Sequence, residues 1–123
     1  MTVQTDAQYV SWDDVEQEQL NPLLSRQFVT GEQSMLARLL LKKGCIVPLH
    51  SHMNEQITYV LEGALKFTLG PPGSREVTVR AGEVLVIPPH VPHSAVAMED
   101  TVDLDVFTPP RRDWIEKTDT YLR

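Results

Sequence analysis

Two stretches of this sequence decide its fold and its chemistry. The first, from Gly44 to Gly63, reads G-C-I-V-P-L-H-S-H-M-N-E-Q-I-T-Y-V-L-E-G, and the second, from Gly82 to His93, reads G-E-V-L-V-I-P-P-H-V-P-H. Together they contain all four histidines of the chain, two in each stretch. Neutral imidazole is the commonest protein ligand for divalent transition metals, so the pattern predicts a metal site.

The first cluster contains two histidines in the pattern H-x-H. On a strand, side chains alternate between the two faces, so His50 and His52 would project together towards one metal ion. Gln56 has the same parity and is the third expected ligand of this stretch. Glu55 has the opposite parity, although a bend at Met53-Asn54 could reset the count, which leaves Glu55 as an alternative ligand.

The second cluster lies among prolines 88, 89 and 92. Proline fixes its own backbone angle, so these residues hold the stretch extended and rigid, as suits a fixed ligand. His93 is the ligand expected from this stretch. A single H-x-H pair could consist of histidines that are merely solvated or packed in the core. Two histidine clusters are poorly explained in that way and favour a metal site.

Outside these two stretches as well as within them, turn residues divide the chain into short strands about 8–12 residues apart. This is the spacing of a sandwich or barrel. The fold class is therefore predicted to be all-β, with short helical segments near both termini. The helical segments are a turn at 11–15 and a closing helix from Trp114 to Leu122. Strands are predicted at about 25–30, 34–42, 46–51, 56–62, 64–69, 75–80, 83–87, 92–98 and 102–108.

These elements suggest a single barrel at 25–110. Residues 1–24 would be an extension that packs on the barrel or on a dimer partner, and residues 111–123 a helical tail. Leu39-Leu40-Leu41 and Val84–Ile87 are apolar at consecutive positions, as in strands covered on both faces. In so small a barrel we expect a homodimer partner to supply the second cover, with Trp12 and Leu20–Leu24 as candidate contacts.

Composition narrows the class of partner. The chain has 123 residues, with 17 acidic against 11 basic side chains, a net charge of −6 and a pI near 5.1. Nucleic acid and anionic membranes require a basic surface, so neither is an expected partner. The single Cys45 cannot form an internal disulfide.

The beginning of the chain carries no expected targeting signal. No Lys or Arg precedes Arg26, and no long apolar run opens the chain, so a secretory or transit peptide is not expected. The longest apolar stretch, Met35–Leu41, is interrupted by Arg38 and is too short to span a bilayer. We therefore expect a cytoplasmic protein.

The two stretches resemble the paired motifs of the cupin superfamily, G-x5-H-x-H-x3,4-E-x6-G and G-x5-P-x-G-x2-H-x3-N. Gln56 stands where the first motif has Glu, while His90 and Ala97 replace the Gly and Asn of the second. The matching positions are Gly44, His50, His52 and Gly63 in the first motif, and Gly82, Pro88 and His93 in the second.

This resemblance implies a small jelly-roll barrel with a metal inside and a homodimer outside. The implied metal ligands are His50, His52, Gln56 and His93. His90 is not an expected ligand, because it stands at the Gly position; we expect it to line the entrance and contact substrate.

Glutamine at the fourth ligand position affects the expected chemistry. Three imidazoles and an amide leave the full +2 charge of the metal, which favours Lewis-acid catalysis and anionic ligands. Redox iron often uses carboxylate ligands, so it is a less obvious occupant. The sequence does not identify the metal; Zn, Ni, Fe(II), Mn and Cu remain open.

The stretch from Val102 to Trp114 reads V-D-L-D-V-F-T-P-P-R-R-D-W. Asp103, Asp105 and Phe107 share one parity. Carboxylates facing an apolar interior would be costly without a metal, an Arg or a substrate, whereas carboxylates facing solvent would need no explanation. Both orientations remain open from the sequence.

The stretch from Val102 to Trp114 resembles the corresponding part of small cupins of pectin and alginate catabolism that linearise 4,5-unsaturated uronates. Their pattern D-x-F-x3-R falls on Asp105, Phe107 and Arg111. The resemblance implies that Asp105 is a general acid or base, that Phe107 lines the pocket and that Arg111 pairs with the carboxylate of a small anionic sugar acid. A metal-dependent dioxygenase similar to quercetin dioxygenase and a non-catalytic ligand-binding cupin remain alternatives.

Overall fold

The computed structural model describes residues 6–71 and 74–123, and within these ranges ten strands form two antiparallel sheets. The all-β fold class predicted from the sequence is confirmed. A 3₁₀ turn spans Trp12–Asp14, and a single α-helix turn, α1, spans Arg112–Ile115. The strands are β1 (Glu18–Asn21), β2 (Leu24–Thr30), β3 (Met35–Leu41), β4 (Ile46–His50), β5 (Glu55–Glu62), β6 (Ala64–Leu69), β7 (Arg75–Arg80), β8 (Val84–Ile87), β9 (His93–Ala97) and β10 (Thr101–Thr108).

The six-stranded sheet has the order β1-β2-β3-β10-β5-β8, and the four-stranded sheet has the order β4-β9-β6-β7. Buried apolar residues from both sheets form one hydrophobic cluster, so the sheets pack face to face as a sandwich. The histidine-bearing strands β4 and β9 are neighbours, and β10 lies between β3 and β5 in the opposite sheet. The candidate site is therefore assembled between the two sheets.

Alternation along β10 places unusual side chains inside the sandwich. Thr101, Asp103, Asp105 and Phe107 are buried, whereas the residues between them are only half-buried. The neighbouring β3 strand buries apolar residues in the same alternating manner. Both aspartates therefore face inward, which resolves the orientation that the sequence left open.

The N-terminal segment contributes a strand that the sequence did not predict. Strand β1 pairs with β2, and Leu20 joins the hydrophobic cluster. Leu20 and Leu24 are buried within the chain itself, at 7% and 0% exposure. Neither is therefore free to contact a dimer partner; Leu23 and the half-buried Trp12 remain candidates for that contact. Residues 1–5 of the predicted extension lie outside the described residues.

The predicted helix from Trp114 to Leu122 is wrong. The helical turn begins earlier and ends at Ile115, and the chain continues in turns. Long-range bonds hold this tail: the buried Asp119 carboxylate pairs with Arg26 at 3.1 Å, and the Arg26 guanidinium lies 4.3 Å from the centre of the Trp114 ring. No helix in the described ranges is long and apolar enough to cross a membrane.

Candidate metal centre and the cavity beside it

Three histidines from two distant parts of the chain meet at one end of the sandwich. His50 ends β4 and is paired in register with His93, the first residue of β9. His52 follows in the connection to β5, so strand parity does not explain its position. The ligand atoms of the three side chains lie within 4.8 Å of one another, which confirms the predicted clustering.

Backbone carbonyls fix the protonation of each imidazole. A carbonyl oxygen can only accept, so the Nδ1 atom facing it must carry the proton and donate it. Each Nε2 atom then keeps its lone pair and can bind a metal. The Nδ1-to-oxygen distances are 2.8 Å from His50 to Pro48, 3.0 Å from His52 to Asn54 and 2.8 Å from His93 to Val91.

Burial keeps these histidines neutral. It lowers the pKa of His50 to about 3 and that of His52 to about 4, with further lowering from neighbouring positive charge. The pKa of His93 is also lowered, again mainly by burial. Neutral imidazoles are the form that binds a metal, so the cluster needs no deprotonation near neutral pH.

Two features show that the cluster fits a cation. Within the described residues, the buried Nε2 atom of His93 has no hydrogen-bond partner. The Nε2 atom of His52 lies 3.1 Å from Oε1 of Gln56, so two lone pairs face each other. A divalent cation held by the three Nε2 atoms and the amide oxygen would satisfy all of these groups.

The position of Gln56 favours it over Glu55 as the fourth ligand. Gln56 is buried on the inner face of β5, whereas Glu55 is exposed on the outer face. The chain does bend at residues 53–54, but the side chain of Gln56 still points towards the histidines.

A buried carboxyl pair lies beside the metal centre. Asp105 accepts a hydrogen bond from Thr58 at 2.7 Å, and Asp103 interacts with Asp105. Burial, then the charge of Asp105, raises the pKa of Asp103 well above its usual range. Burial also raises the pKa of Asp105, but hydrogen bonds from Asp103 and Thr58 oppose this rise.

Oδ1 of Asp103 is buried and, within the described residues, has no hydrogen-bond partner. A buried carboxylate oxygen without a partner is costly, which agrees with the raised pKa of Asp103 and favours its neutral form. A neutral Asp103 can donate its proton to the neighbouring carboxylate of Asp105.

The candidate metal centre and the carboxyl pair share one small cavity of about 40 Å³ between the sheets. Its polar lining includes His50, His93, Gln56, Asp103, Asp105 and Arg111. An open groove outside it shares His50, Arg111 and Tyr121 with the cavity. The three residues of the pattern D-x-F-x3-R, predicted to act together, all line the cavity.

Arg111 is more constrained than the sequence suggests. It is 2% exposed, and its Nε and Nη2 atoms donate to the two carboxylate oxygens of Asp113 at 3.0 and 2.8 Å. Its guanidinium lies 5.1 Å from the centre of the Phe107 ring. Burial would lower the pKa of Arg111, but bonding to Asp113 and Tyr121 raises it, so the group stays cationic.

Tyr121 is a site residue that the sequence did not reveal. Its ring stacks on His50, and its hydroxyl accepts a hydrogen bond from Arg111 at 2.8 Å. It belongs to no motif, and the sequence predicts a helix at its position. Only contact between the tail and the barrel brings it to the site.

The predicted role of His90 at the entrance finds no support in the structure. Its side chain is exposed, and within the described residues it is not among those lining the cavity or the groove. Its backbone has a φ of 68°, a conformation that favours glycine and explains why the cupin motif has Gly there. Its backbone amide donates to the carbonyl oxygen of His52 at 2.8 Å, which supports the loop of a metal ligand.

Residues 37–108, more than half of the chain, match the Cupin domain family, and the protein belongs to this family. The solved structure of KdgF from a Halomonas species is similar, with 28% identity and a TM-score of 0.75 over 83% of this chain and 94% of that chain. A RmlC-like cupin from Shewanella frigidimarina is 26% identical, with a TM-score of 0.80 over 89% of this chain and 96% of that one.

A third similar structure belongs to a larger protein. Oxalate decarboxylase from Bacillus subtilis, described as having Mn(II) centres, is 25% identical with a TM-score of 0.71. The alignment covers 85% of this chain but only 31% of the decarboxylase. A search of the curated proteins gave no match.

Proposed function

We propose that the protein is a metal-dependent enzyme that linearises 4,5-unsaturated uronates. The observation that carries the proposal is a pair of buried carboxyl groups, Asp103 and Asp105, which line the same cavity as His50, His93 and Gln56. A binding protein has little use for a buried acid next to a carboxylate, because the pair is costly to bury.

Two further observations support this substrate class. The pattern of Asp105, Phe107 and Arg111 resembles the uronate-linearising cupins, and these residues line one cavity. The likeness to KdgF from Halomonas extends over most of both chains. The open groove beside the cavity, lined by His50, His52 and the cationic Arg111, also suits an anionic sugar acid, despite the acidic chain as a whole.

The proposed reaction is an isomerisation, so no oxidant or second substrate is needed. The hydroxyl group at C1 loses its proton as the bond from C1 to the ring oxygen breaks. The ring oxygen, which stays on C5, takes that proton, so the products of this step are an aldehyde at C1 and an enol at C5. The enol then loses its hydroxyl proton and takes a proton at C4, which gives the ketone.

The chain's own residues would bind substrate and carry these protons. Asp105 accepts the proton from the sugar hydroxyl and returns one to carbon, as a general base and then a general acid. Asp103 supplies the neighbouring proton that keeps this pair singly charged. Arg111 faces the uronate carboxylate, and Phe107 packs against the sugar. A bound divalent cation supplies Lewis-acid stabilisation of developing negative charge.

The test follows the ultraviolet absorbance of a 4,5-unsaturated uronate. Metal-loaded protein should accelerate its decay above the spontaneous rate. Asp105→Asn, which keeps the shape but removes the proton carrier, should lower kcat by about 10²- to 10⁴-fold. His50→Ala/His93→Ala should show metal near background by elemental analysis and no acceleration.

Equal decay with and without protein would contradict the proposal. Substrate-dependent oxygen uptake would instead indicate the dioxygenase alternative. Binding without turnover would indicate a ligand-binding cupin. Full metal occupancy in His50→Ala/His93→Ala would contradict the assignment of the metal centre itself.

A further inference from the structure

We infer that Thr58 is a positioning residue whose hydroxyl group turns the side-chain amide of Gln56 so that its oxygen faces the three histidines. This inference rests on the metal centre of the proposed function but not on the uronate substrate. It assigns a role to a buried residue that touches neither the histidines' ring nitrogens nor the proposed substrate.

The position of Thr58 makes it a link between two functional groups. It lies two residues after Gln56 on the inner face of β5 and is completely buried. Thr58 is paired in register with Asp105 on β10. Its hydroxyl lies 2.9 Å from Nε2 of Gln56 and 2.7 Å from Oδ1 of Asp105.

The direction of each hydrogen bond follows from the available protons. A hydroxyl has one proton, and Thr58 gives it to the carboxylate of Asp105. The Thr58 oxygen can then only accept from its other neighbour, so it selects the NH₂ side of the Gln56 amide. The carbonyl side, Oε1, is left 3.1 Å from Nε2 of His52.

The register of the two strands supports this direction. Thr58 lies opposite Asp105, whose Oδ1 accepts from the Thr58 hydroxyl. The order of donation is thus Gln56 to Thr58 to Asp105. A glutamine amide can otherwise turn by half a rotation and present NH₂ to the metal, which would repel the cation. Groups that orient a ligand in this way typically change metal affinity by about 10- to 100-fold.

The experiment measures metal affinity and geometry without substrate. Thr58→Val replaces the hydroxyl by a methyl group of similar size, and Thr58→Ser keeps the hydroxyl. We expect Thr58→Val to bind Ni(II) about 10- to 100-fold more weakly in calorimetric titration. Thr58→Ser should bind close to the wild type. The absorption bands of Co(II)-loaded Thr58→Val should approach those of Gln56→Ala.

A double-mutant cycle separates orientation from general destabilisation. In a Gln56→Ala background there is no amide to orient, so Thr58→Val should change Ni(II) affinity no further. Thr101→Val is the matched control, because Thr101 is also buried and hydrogen-bonded on β10 but contacts Ala64 and Glu99. It should lower the unfolding temperature while leaving Ni(II) affinity unchanged.

The inference is overturned if Thr58→Val binds Ni(II) as the wild type does. It is also overturned if Thr58→Val weakens binding equally in the Gln56→Ala background. Should Thr58→Val not fold, Thr58→Ala removes the same hydroxyl without adding a group and takes its place in the cycle. Absence of uronate turnover would leave these affinities unaffected, so failure of the proposed substrate is distinguishable from failure of this role.

Discussion

Tyr121 stacks on the imidazole of His50, with ring centroids 4.4 Å apart and planes 25° from parallel. Its hydroxyl accepts hydrogen bonds from Arg111 at 2.8 Å and from Trp114 at 3.3 Å. The C-terminal tail therefore supplies one wall of the site and connects a metal ligand to the proposed substrate-binding Arg111.

This relationship predicts different effects for two substitutions of Tyr121. Tyr121→Phe keeps the stack but leaves two buried donors without an acceptor, which costs about 1–3 kcal/mol. It should lower kcat/KM for the uronate while preserving metal affinity. Tyr121→Ala removes the stack as well and should weaken metal binding in calorimetric titration.

The control for both variants is Tyr9→Phe, because Tyr9 is 99% exposed. It should behave as the wild type. Unchanged metal affinity in Tyr121→Ala would contradict a role of the stack in holding His50.

Metal removal should make stability sensitive to acid. In the unfolded chain histidine takes up a proton near pH 6.5, whereas burial lowers the pKa of His50 to about 3 and that of His52 to about 4. The unfolded state therefore binds more protons below about pH 6.5, and the free energy of unfolding falls as the pH falls towards 4.

Urea unfolding of chelator-treated protein, followed across this pH range, measures the effect. His50→Ala should reduce the slope, because one of the buried neutral histidines is gone. A free energy of unfolding that stays level between about pH 6.5 and 4 in the metal-free wild type would contradict the prediction.

The fold could be predicted from local sequence because turns and alternation are local signals. The β10 strand follows from the alternation of residues 102–108, and the two motifs reveal four candidate ligands. The missed strand β1 and the wrong tail helix depend instead on distant contacts. Arg26 and Asp119 are 93 residues apart in the chain, and no periodic pattern announces their ion pair.

The residues of the site also fall into two groups, those that short sequence patterns predict and those that only distant contacts bring into place. The histidines, Gln56 and the D-x-F-x3-R residues belong to short patterns. Thr58, Asp113 and Tyr121 are brought to the site only by pairing between strands or by docking of the tail. The sequence does not reveal that Asp113 already occupies two donors of Arg111, because that bond depends on the turn at α1.

Asp103 should affect the pH dependence of the free energy of unfolding in the opposite direction to the histidines, and Asp103→Asn should remove this effect. The unfolded carboxyl group ionises above about pH 4, whereas burial raises the pKa of Asp103 well above its usual range in the folded protein. The folded state therefore binds the extra proton, and this group's contribution to stability falls as the pH rises. Asparagine can still donate to Asp105 but has no proton to lose.

The expected result is that Asp103→Asn gains stability relative to the wild type as the pH rises from about 4 to 8. Urea unfolding of both proteins along this range checks it, and their difference cancels the histidine effect. Asp14→Asn, at an exposed position, is the control. A constant difference between Asp103→Asn and the wild type would show that Asp103 is ionised in the fold.

Arg111→Lys should mainly raise KM for the uronate. Lysine keeps the charge but loses the planar guanidinium that Asp113 and Tyr121 hold in place beside the cavity. It also loses bonds to Asp113 and Tyr121, so some stability should be lost too. A loss of about 1.5–3 kcal/mol for a charge-assisted hydrogen bond corresponds to about a 10- to 150-fold rise in KM.

Steady-state kinetics of Arg111→Lys, with metal content measured in parallel, tests this. The neighbouring Arg112→Lys is the matched control, because Arg112 is exposed. A fall in kcat with unchanged KM would assign Arg111 to the chemical step instead of to substrate binding.

The outer face of the six-stranded sheet predicts a homodimer. Strands β5 and β8 pair there, and they expose five apolar side chains that form an apolar patch: Ile57, Tyr59, Leu61, Val84 and Val86, at 37–57% exposure. Ile57 is opposite Val86, and Tyr59 is opposite Val84. Contiguous exposed apolar surface of this kind marks a site of association, so a second copy of the chain is the expected cover.

Light scattering coupled to size exclusion should show a dimer for the wild type at micromolar concentration. Tyr59→Lys places a charge in the centre of the patch and should yield a monomer that is still folded by circular dichroism, because Tyr59 lies outside the core. Ile46→Lys is the matched control: Ile46 is 65% exposed on the other sheet, so this variant should remain dimeric. A monomeric wild type would contradict the prediction, and a dimeric Tyr59→Lys would move the interface to another surface.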